Sequence, residues 1–242
     1  MLHHPWFLLL LSVLVMSTRV MSTGVMSTLA SRAASVKFGN QVSARYNLLL
    51  GSGSSTRKQI LLENGFNFRV VKADIDEKAI GDRSKNAEDL VTLLACEKAK
   101  AIQKKLTNTQ PDDLLLTADQ VVLFDGKILE KPVDLAEARM FIDRYSGRSC
   151  MTVGSLMLTK PYSGQQVMGV DTATIHFGQI PRDVVDAILA EGECVHCAGG
   201  LMVEHPLLQP HIRSLEGTQE SLMGLSVELL HSLLHEIGAL EK

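Results

Sequence analysis

The chain has 242 residues, of which 45% are hydrophobic and 21% are charged, and its formal net charge is −3. This is the composition of an ordinary globular protein, and the small negative charge excludes a general attraction to nucleic acid. The four cysteines are too few for a disulfide framework, and Cys194 and Cys197 lack the second pair that a structural zinc site needs. We therefore expect a chain that folds alone, keeps its thiols reduced and binds anions only through a local basic cluster.

The first 35 residues differ from the rest of the chain. An apolar run from Phe7 to Val15 is too short to span a bilayer but resembles the core of a signal peptide, although no basic segment precedes it. The tetrapeptide Val-Met-Ser-Thr then occurs three times, and the Ser-rich, acid-free sequence around it also suits a transit peptide. We expect a leader or disordered extension at residues 1–40, with Met16, Met21 and Met26 as alternative starts, and one domain at residues 41–242.

The first regular elements alternate between strand and helix. Residues 46–50 form a short apolar run that ends at a glycine, which predicts a buried strand. Ser54 is then placed to cap the N-terminus of a helix that ends at Asn64 and Gly65. Residues 66–71 predict a second strand, and residues 86–103 predict a long amphipathic helix.

The next segment has an acidic residue between two apolar runs. Residues 114–116 and 121–124 have the composition of buried strands, and Asp119 lies between them. Asp125 and Gly126 form a strong two-residue hairpin signal. The sequence therefore predicts a strand, a break at Asp119 and a hairpin.

The second half of the chain continues the alternation. Helices are predicted at residues 135–145, 181–189 and 227–237, and two paired strands at residues 149–159 and 166–177. Because strands and helices alternate without an obvious linker, we expect a single α/β domain with a mixed sheet.

The turn at residues 51–58, Gly-Ser-Gly-Ser-Ser-Thr-Arg-Lys, has the features of a phosphate-binding loop. A glycine and serine turn that enters a helix leaves backbone N–H groups unpaired, and Arg57 and Lys58 lie in the first turn. Positive charge there opposes the helix dipole unless an anion binds. The spacing matches neither a P-loop nor a dinucleotide fingerprint, so the alternative is a capped helix after a tight turn.

Two acids are candidate metal ligands. Glu77 ends the cluster Asp74-Ile75-Asp76-Glu77, which follows a predicted strand, and Asp119 is expected near a sheet edge, where open α/β sheets bind ligands. Taken singly, each acid also fits a solvated loop or a turn. Together they supply the hard oxygen ligands that Mg²⁺ prefers, and basic residues are available to neutralise phosphates: Arg57, Lys58, Lys98 and Lys131.

An ordered set of short motifs carries a resemblance to a known family. The motifs are Ser52-x-Ser54-x-x-Arg57-Lys58, Asp76-Glu77, Glu97-Lys98, Thr117-Ala118-Asp119-Gln120, Glu130-Lys131-Pro132, Ser146-Gly147-Arg148, Cys197-Ala198-Gly199-Gly200 and Met223-Gly224-Leu225. In this order they resemble the Maf family of septum-formation-inhibitor-like nucleotide pyrophosphatases, over about residues 46–237. Within the family, the chain looks most like the plant and trypanosomatid Maf-like proteins.

The resemblance implies a fold and an activity. The fold is the Maf/ITPase-like one, an elongated mixed sheet flanked by helices, with two lobes around a central cleft, and the resemblance favours a homodimer. The implied reaction converts a nucleoside triphosphate and water to the monophosphate and pyrophosphate, with Mg²⁺ or Mn²⁺. By position, Asp119 matches the catalytic base and Glu77 the second acid, both metal ligands. The phosphate contacts match Arg57, Lys98 and Lys131, and the phosphate loop matches Ser52 and Ser54.

Three positions bear on the choice of base. Gln120 and Glu204 resemble the branch that acts on 7-methyl-GTP and other modified nucleotides, whereas dTTP- and UTP-hydrolysing members have other residues there. A glutamate accepts hydrogen bonds from ring N–H and amino donors, which suits a guanine-type edge. Thr56 departs from that branch, which has an aromatic residue at this position.

A second hypothesis belongs to a different class, a nucleotide-binding regulatory module that keeps the pocket without hydrolysis and affects cell division. Such a module is expected to have lost Asp119 or Glu77, and both are present. The reduced cysteines and nucleotide substrate favour the cytoplasm, whereas a functional leader implies an organelle or the secretory route. No membrane or nucleic acid polymer is expected as a partner.

Overall fold

The computed structural model describes residues 34–241, so the repeats and most of the expected leader lie outside it. Helix α1 covers residues 34–45 and therefore spans residue 40, where we expected the domain to begin. Val42 is fully buried, and the Phe38 ring packs against that of Phe66 at a centroid distance of 5.6 Å. Phe38, which belongs to the segment expected to form the extension, therefore packs onto the core.

The first half of the domain builds the parallel part of the sheet. Its elements are β1 (Asn47–Leu50), α2 (Ser55–Glu63), β2 (Phe68–Val70), α3 (Ala87–Lys105), β3 (Asp113–Phe124) and β4 (Lys127–Leu129). β1 pairs in parallel with β2 on one side and β3 on the other. Ser54 caps α2 by accepting a hydrogen bond from the Arg57 N–H, which confirms the predicted helix start.

The predicted break at Asp119 is wrong, because β3 is one continuous strand of 12 residues. Asp119 lies in its middle, opposite Ser155 of a neighbouring strand. The strand tolerates a buried acid there because Lys98 of α3 forms an ion pair with it. The predicted hairpin is confirmed: Asp125 and Gly126, both with positive φ, connect β3 to β4 as a two-residue turn.

The second half adds antiparallel strands and the remaining helices. Its elements are α4 (Leu135–Tyr145), β5 (Ser149–Thr159), β6 (Gln166–Phe177), α5 (Arg182–Glu191), β7 (Ile212–Glu216), α6 (Gln219–Leu222) and α7 (Val227–Glu236). The seven strands form one mixed sheet in the order β2-β1-β3-β5-β6-β7, with β4 attached to β3. The α/β fold with a mixed sheet flanked by helices is thereby confirmed.

On one face of the sheet, β3 contributes to two hydrophobic cores, which correspond to two lobes. Its first half contributes Leu114 and Leu116 to a core shared with β1, α2 and α7. Its second half contributes Val122 and Phe124 to a core built with α4 and α5. Asp119 lies between these two sets along the strand, and its side chain points to the opposite face, toward α3. On that face, Leu115 and Val121 flank it and contribute to two smaller cores built with α3. The fold thus places an acid where the lobes meet. None of the helices within residues 34–241 has the length and apolar composition needed to cross a bilayer.

Candidate active site

A cleft of about 770 Å³ opens beside Asp119, between the two lobes. Its walls come from the β1–α2 turn, the segment around Glu77, the loop after β4, residues 193–204 and the turn after α6. The site residues expected from the sequence that line it are Ser52, Ser54, Thr56, Arg57, Glu77, Lys98, Asp119, Gln120, Lys131 and Glu204. Lys58 is half-buried on α2 but does not line the cleft, because it follows Arg57 by one residue and so projects in another direction.

An acid, a lysine and a second acid form a continuous ionic chain at the floor of the cleft. The Lys98 ammonium lies 2.5 Å from Asp119 Oδ1 and 3.0 Å from Glu77 Oε2. The Lys98 and Asp119 side chains are each 9% exposed, whereas Glu77 is 49% exposed. Lys98 therefore holds a buried carboxylate and a solvent-facing one at the same point.

Two opposing influences act on Asp119. Burial raises the pKa of its carboxyl group, and the positive charges of Lys98 and Arg57 act in the opposite direction, with Glu77 adding to the rise. Oδ1 is engaged by Lys98, and no other hydrogen bond to Asp119's carboxylate is formed within residues 34–241. The second oxygen is therefore available to a water molecule or a ligand in the cleft.

The phosphate-loop candidate is tied directly to the strand that carries Asp119. Gly51 is needed because a Cβ there would lie 2.6 Å from the Thr117 side chain. Ser52 Oγ accepts hydrogen bonds from the Ser54 N–H at 3.3 Å and from Arg57 Nη1 at 3.2 Å. The turn is thus a capped helix start, as the alternative interpretation held, and it also forms one wall of the cleft.

Arg57 connects three parts of the site. Its Nη1 donates to the Ala118 carbonyl at 3.2 Å, and its Nε donates to the Gly224 carbonyl at 2.8 Å. Burial lowers the pKa of the guanidinium, while Asp119 and Glu77 act to raise it. Two of its three nitrogens therefore bond to the protein, and Nη2 forms no hydrogen bond within residues 34–241.

The acidic cluster predicted around Glu77 separates into three roles. Asp74 pairs with Lys105 at 2.7 Å, and Asp76 caps a short 3-10 helix that begins at Glu77. Only Glu77 takes part in the ionic chain with Lys98. Proximity in sequence alone did not distinguish these three acids.

Arg83 positions Glu77, and the sequence reasoning missed it. Its Nη2 donates to the Glu77 carbonyl at 2.7 Å, and its guanidinium makes a bidentate pair with Glu130, both contacts at 3.0 Å. It also donates to the Ile80 carbonyl. A single arginine in a polar loop gives no sequence signal for such a role. Two further lining cations, Lys72 and Lys78, were missed for the same reason.

One segment of the lining differs chemically from the residues around Asp119. It lies within residues 193–204 and contributes Glu193, His196, Cys197, Met202 and Glu204. Burial raises the pKa of the Cys197 thiol to about 11, and Glu204 adds to the rise. Cys197 is therefore a neutral thiol at physiological pH, not an activated nucleophile.

The comparisons with known proteins identify the family. The family model described as Maf-like protein matches residues 47–237. The chain belongs to the Maf family. This agrees with the resemblance that the ordered motifs carry.

Curated relatives of this Maf-family chain carry the names of pyrophosphatases. A 7-methyl-GTP pyrophosphatase of Dictyostelium discoideum is 33% identical over 195 residues, covering 79% of this chain and 97% of the relative. A nucleoside triphosphate pyrophosphatase of Salinispora tropica is 31% identical, with coverage of 79% and 84%. A dTTP/UTP pyrophosphatase of Bdellovibrio bacteriovorus is 30% identical, with coverage of 77% and 96%.

The donor set of this Maf-family site suits a magnesium-type ion better than zinc. Residues 34–241 contain no cluster of three or more His, Cys, Asp or Glu side chains arranged to hold a metal. Glu77 and Asp119 supply two carboxylates that converge on one nitrogen. Mg²⁺ is commonly bound by one or two carboxylates together with water and substrate phosphates, so two protein donors fit this mode.

Proposed function

We propose that this Maf-family chain hydrolyses nucleoside triphosphates to the monophosphate and pyrophosphate. The observation that carries the proposal is the buried Asp119 carboxylate, paired with Lys98 and Glu77 on the floor of a cleft large enough for a nucleotide. A triphosphate carries several negative charges, and within residues 34–241 five cationic side chains line the same cleft: Arg57, Lys72, Lys78, Lys98 and Lys131. The cleft therefore combines a cationic lining that suits a polyanionic substrate with a carboxylate that can act as a general base.

Asp119 is proposed to hold the attacking water. Lys98 fixes one carboxylate oxygen at 2.5 Å and thereby orients the other toward the cleft. Burial, which raises the pKa of Asp119, makes this carboxylate a stronger base than an exposed aspartate. Lys98, Lys131 and the free Arg57 nitrogen are proposed to neutralise the charge that develops on the phosphate.

Glu77 and Asp119 are proposed to bind a divalent cation, Mg²⁺ or Mn²⁺, together with the substrate phosphates. Such an ion would polarise a phosphoryl oxygen and neutralise part of the triphosphate charge. Glu77 is suited to this role because it is half exposed and its backbone is fixed by Arg83.

The substrate is proposed to be a modified or non-canonical nucleotide of the 7-methyl-GTP kind. Support comes from the Dictyostelium relative with that name and from two carboxylates, Glu193 and Glu204, that line the cleft. Carboxylates accept hydrogen bonds from the amino and ring N–H groups of a guanine and attract a cationic methylated base. A homodimer in the cytoplasm completes the proposal, and it rests on the family resemblance and on the unpaired cysteines.

The alternative of a non-hydrolysing regulatory module is not favoured. Both acids and Lys98 are present and in contact, whereas a binding module has no need for a buried carboxylate that is costly to ionise.

The test is turnover by the full chain with Mg²⁺ or Mn²⁺ against normal, 7-methyl, pseudouridine and 5-methyl nucleoside triphosphates. Pyrophosphate and phosphate are resolved, and Asp119→Asn is the matched control. We expect pyrophosphate release that the control abolishes. Tight binding of a nucleotide without any turnover would instead establish the regulatory module.

A further inference from the structure

We propose that Met223 is the residue that contacts the nucleobase and that Gln120 selects the base indirectly, by positioning the turn that carries Met223. This inference rests on the proposed function and adds to it the part of the cleft that distinguishes one base from another. Met223 is assigned the contact with the base, and Gln120 is assigned a positioning role through the turn. From the sequence, Gln120 was expected to bear on the choice of base because of its position in a family motif.

The Gln120 amide is occupied by the protein. Its Nε2 donates to the Ser221 carbonyl at 2.7 Å. The other amide atom, Gln120 Oε1, lies close to Gly224, where an added Cβ would be only 3.2 Å away. Gly224 has a φ of 107°. The Gln120 side chain thus packs against the turn at residues 221–224, and its amide forms a hydrogen bond with the protein backbone.

Arg57 ties the same turn to the catalytic strand at a second point. It bridges the Gly224 carbonyl, at 2.8 Å, and the Ala118 carbonyl, at 3.2 Å. Ala118 and Gln120 are the two neighbours of Asp119 in β3. The turn is therefore held on both sides of the residue that is proposed to hold the water, so its position relative to the reacting phosphate is defined.

Leu222, Met223 and Gly224 of this turn line the cleft, and Met223 has the more exposed of the two side chains, because Leu222 is 3% exposed whereas Met223 is half-buried. Met223 packs at the edge of both main cores, and Gln219 Nε2 donates to its sulfur at 3.7 Å. No Phe, Tyr or Trp in residues 34–241 lines the cleft. A thioether makes favourable contacts with aromatic rings, so Met223, with Met202 nearby in the lining, supplies the apolar surface that a planar base needs.

A double-mutant cycle tests whether Gln120 acts through the turn. The full-length variants are Met223→Ala, Gln120→Met and the double variant, and the readout is the ratio of kcat/KM for 7-methyl-GTP and UTP. We expect Met223→Ala to raise the KM for 7-methyl-GTP about tenfold with little change in kcat, because the contact with the base is lost while the chemistry is retained. The ratio of kcat/KM for 7-methyl-GTP to that for UTP should therefore fall. Gln120→Met should change the ratio by about tenfold in the wild-type background and not at all in the Met223→Ala background.

Two further variants separate these effects from general damage. Met223→Leu keeps an apolar contact and should retain most of the discrimination. Gln59→Met makes the same chemical change at an exposed position of α2 outside the cleft and should leave the ratio unchanged. Thermal melting confirms that each variant is folded.

Two results would overturn the inference. An equal change of the ratio by Gln120→Met in both backgrounds would show that Gln120 contacts the base directly, and an unchanged KM in Met223→Ala would remove Met223 from the base site. If the wild type releases no pyrophosphate, the proposed function fails. In that case, the Kd values of α,β-methylene analogues of the two nucleotides replace kcat/KM as the readout of the same double-mutant cycle. The absence of any binding overturns both proposals.

Discussion

Replacing Lys98 with methionine tests the buried ionic chain, because the change keeps the length of the side chain and removes its charge. Lys98 and Asp119 are each 9% exposed, and removing one partner of a buried ion pair costs about 3–5 kcal/mol. Arg57 still stabilises the Asp119 charge, so we expect a loss near the lower end, about 3 kcal/mol. For a chain of this size the loss lowers Tm by roughly 6–12 °C.

The pH dependence of this loss follows from the sign of the Asp119 shift. Burial raises the pKa of Asp119 above its ordinary value of 3.8, and removal of Lys98 takes away the largest opposing influence. An acid whose pKa is raised by folding binds more protons in the folded state, so its contribution to stability falls as pH rises through the folded pKa. The difference in Tm between Lys98→Met and the wild type should therefore be smaller at about pH 5 than at about pH 8.

The assay is thermal and urea unfolding of four proteins: the wild type, Lys98→Met, the double variant Lys98→Met/Asp119→Asn, and Lys100→Met. Lys100 lies on the same helix, is 60% exposed and pairs with Glu97, so its loss should change Tm little. The double variant removes the orphaned charge and should melt above Lys98→Met. A double variant that is no more stable than the single one, or a deficit that grows on acidification, would refute the reasoning.

Three further predictions concern the site and its support. Asp119→Asn should lower kcat for pyrophosphate release by about 10²–10⁴-fold with little change in KM, and a loss below tenfold would remove Asp119 from the role of base. Arg83→Met frees the Glu77 backbone, so kcat/KM should fall at least about tenfold while Tm changes little, and unchanged kinetics would contradict its positioning role. Gly199→Ala places a Cβ 2.6 Å from the Tyr145 hydroxyl and should cost about 1–3 kcal/mol in urea unfolding. Gly164→Ala, which also has positive φ but no atom within 4 Å, should cost less, and equal losses would refute the packing argument.

The sequence predicted most of the elements because their signals are local. Apolar runs, a serine cap and an Asp-Gly hairpin each depend on a few neighbouring residues, and the corresponding elements are confirmed. β7 was missed because it is short and mostly exposed, and it forms only because the end of β6 offers it a partner. The break at Asp119 was predicted wrongly because the lysine that compensates its charge is 21 residues away in the sequence.

The residues of the candidate site show the same difference between local sequence signals and long-range contacts. Side chains that belong to family motifs, such as Glu77, Lys98 and Lys131, were predicted in advance and do line one cleft. Arg83 was not predicted, because its role depends on reaching Glu130 and a backbone carbonyl across a loop. Gln120 was assigned to the base from its position in a motif, and only the fold shows that its amide bonds to Ser221.

The proposed reaction, in which water attacks the α-phosphorus and pyrophosphate leaves, is tested most directly by a single-turnover reaction in ¹⁸O-labelled water. The products of the full-length chain, with Mg²⁺ and its preferred nucleoside triphosphate, are separated and weighed by mass spectrometry. We expect one labelled oxygen in the nucleoside monophosphate and none in pyrophosphate. Label in pyrophosphate, or release of labelled inorganic phosphate as the first product, would contradict the proposed reaction.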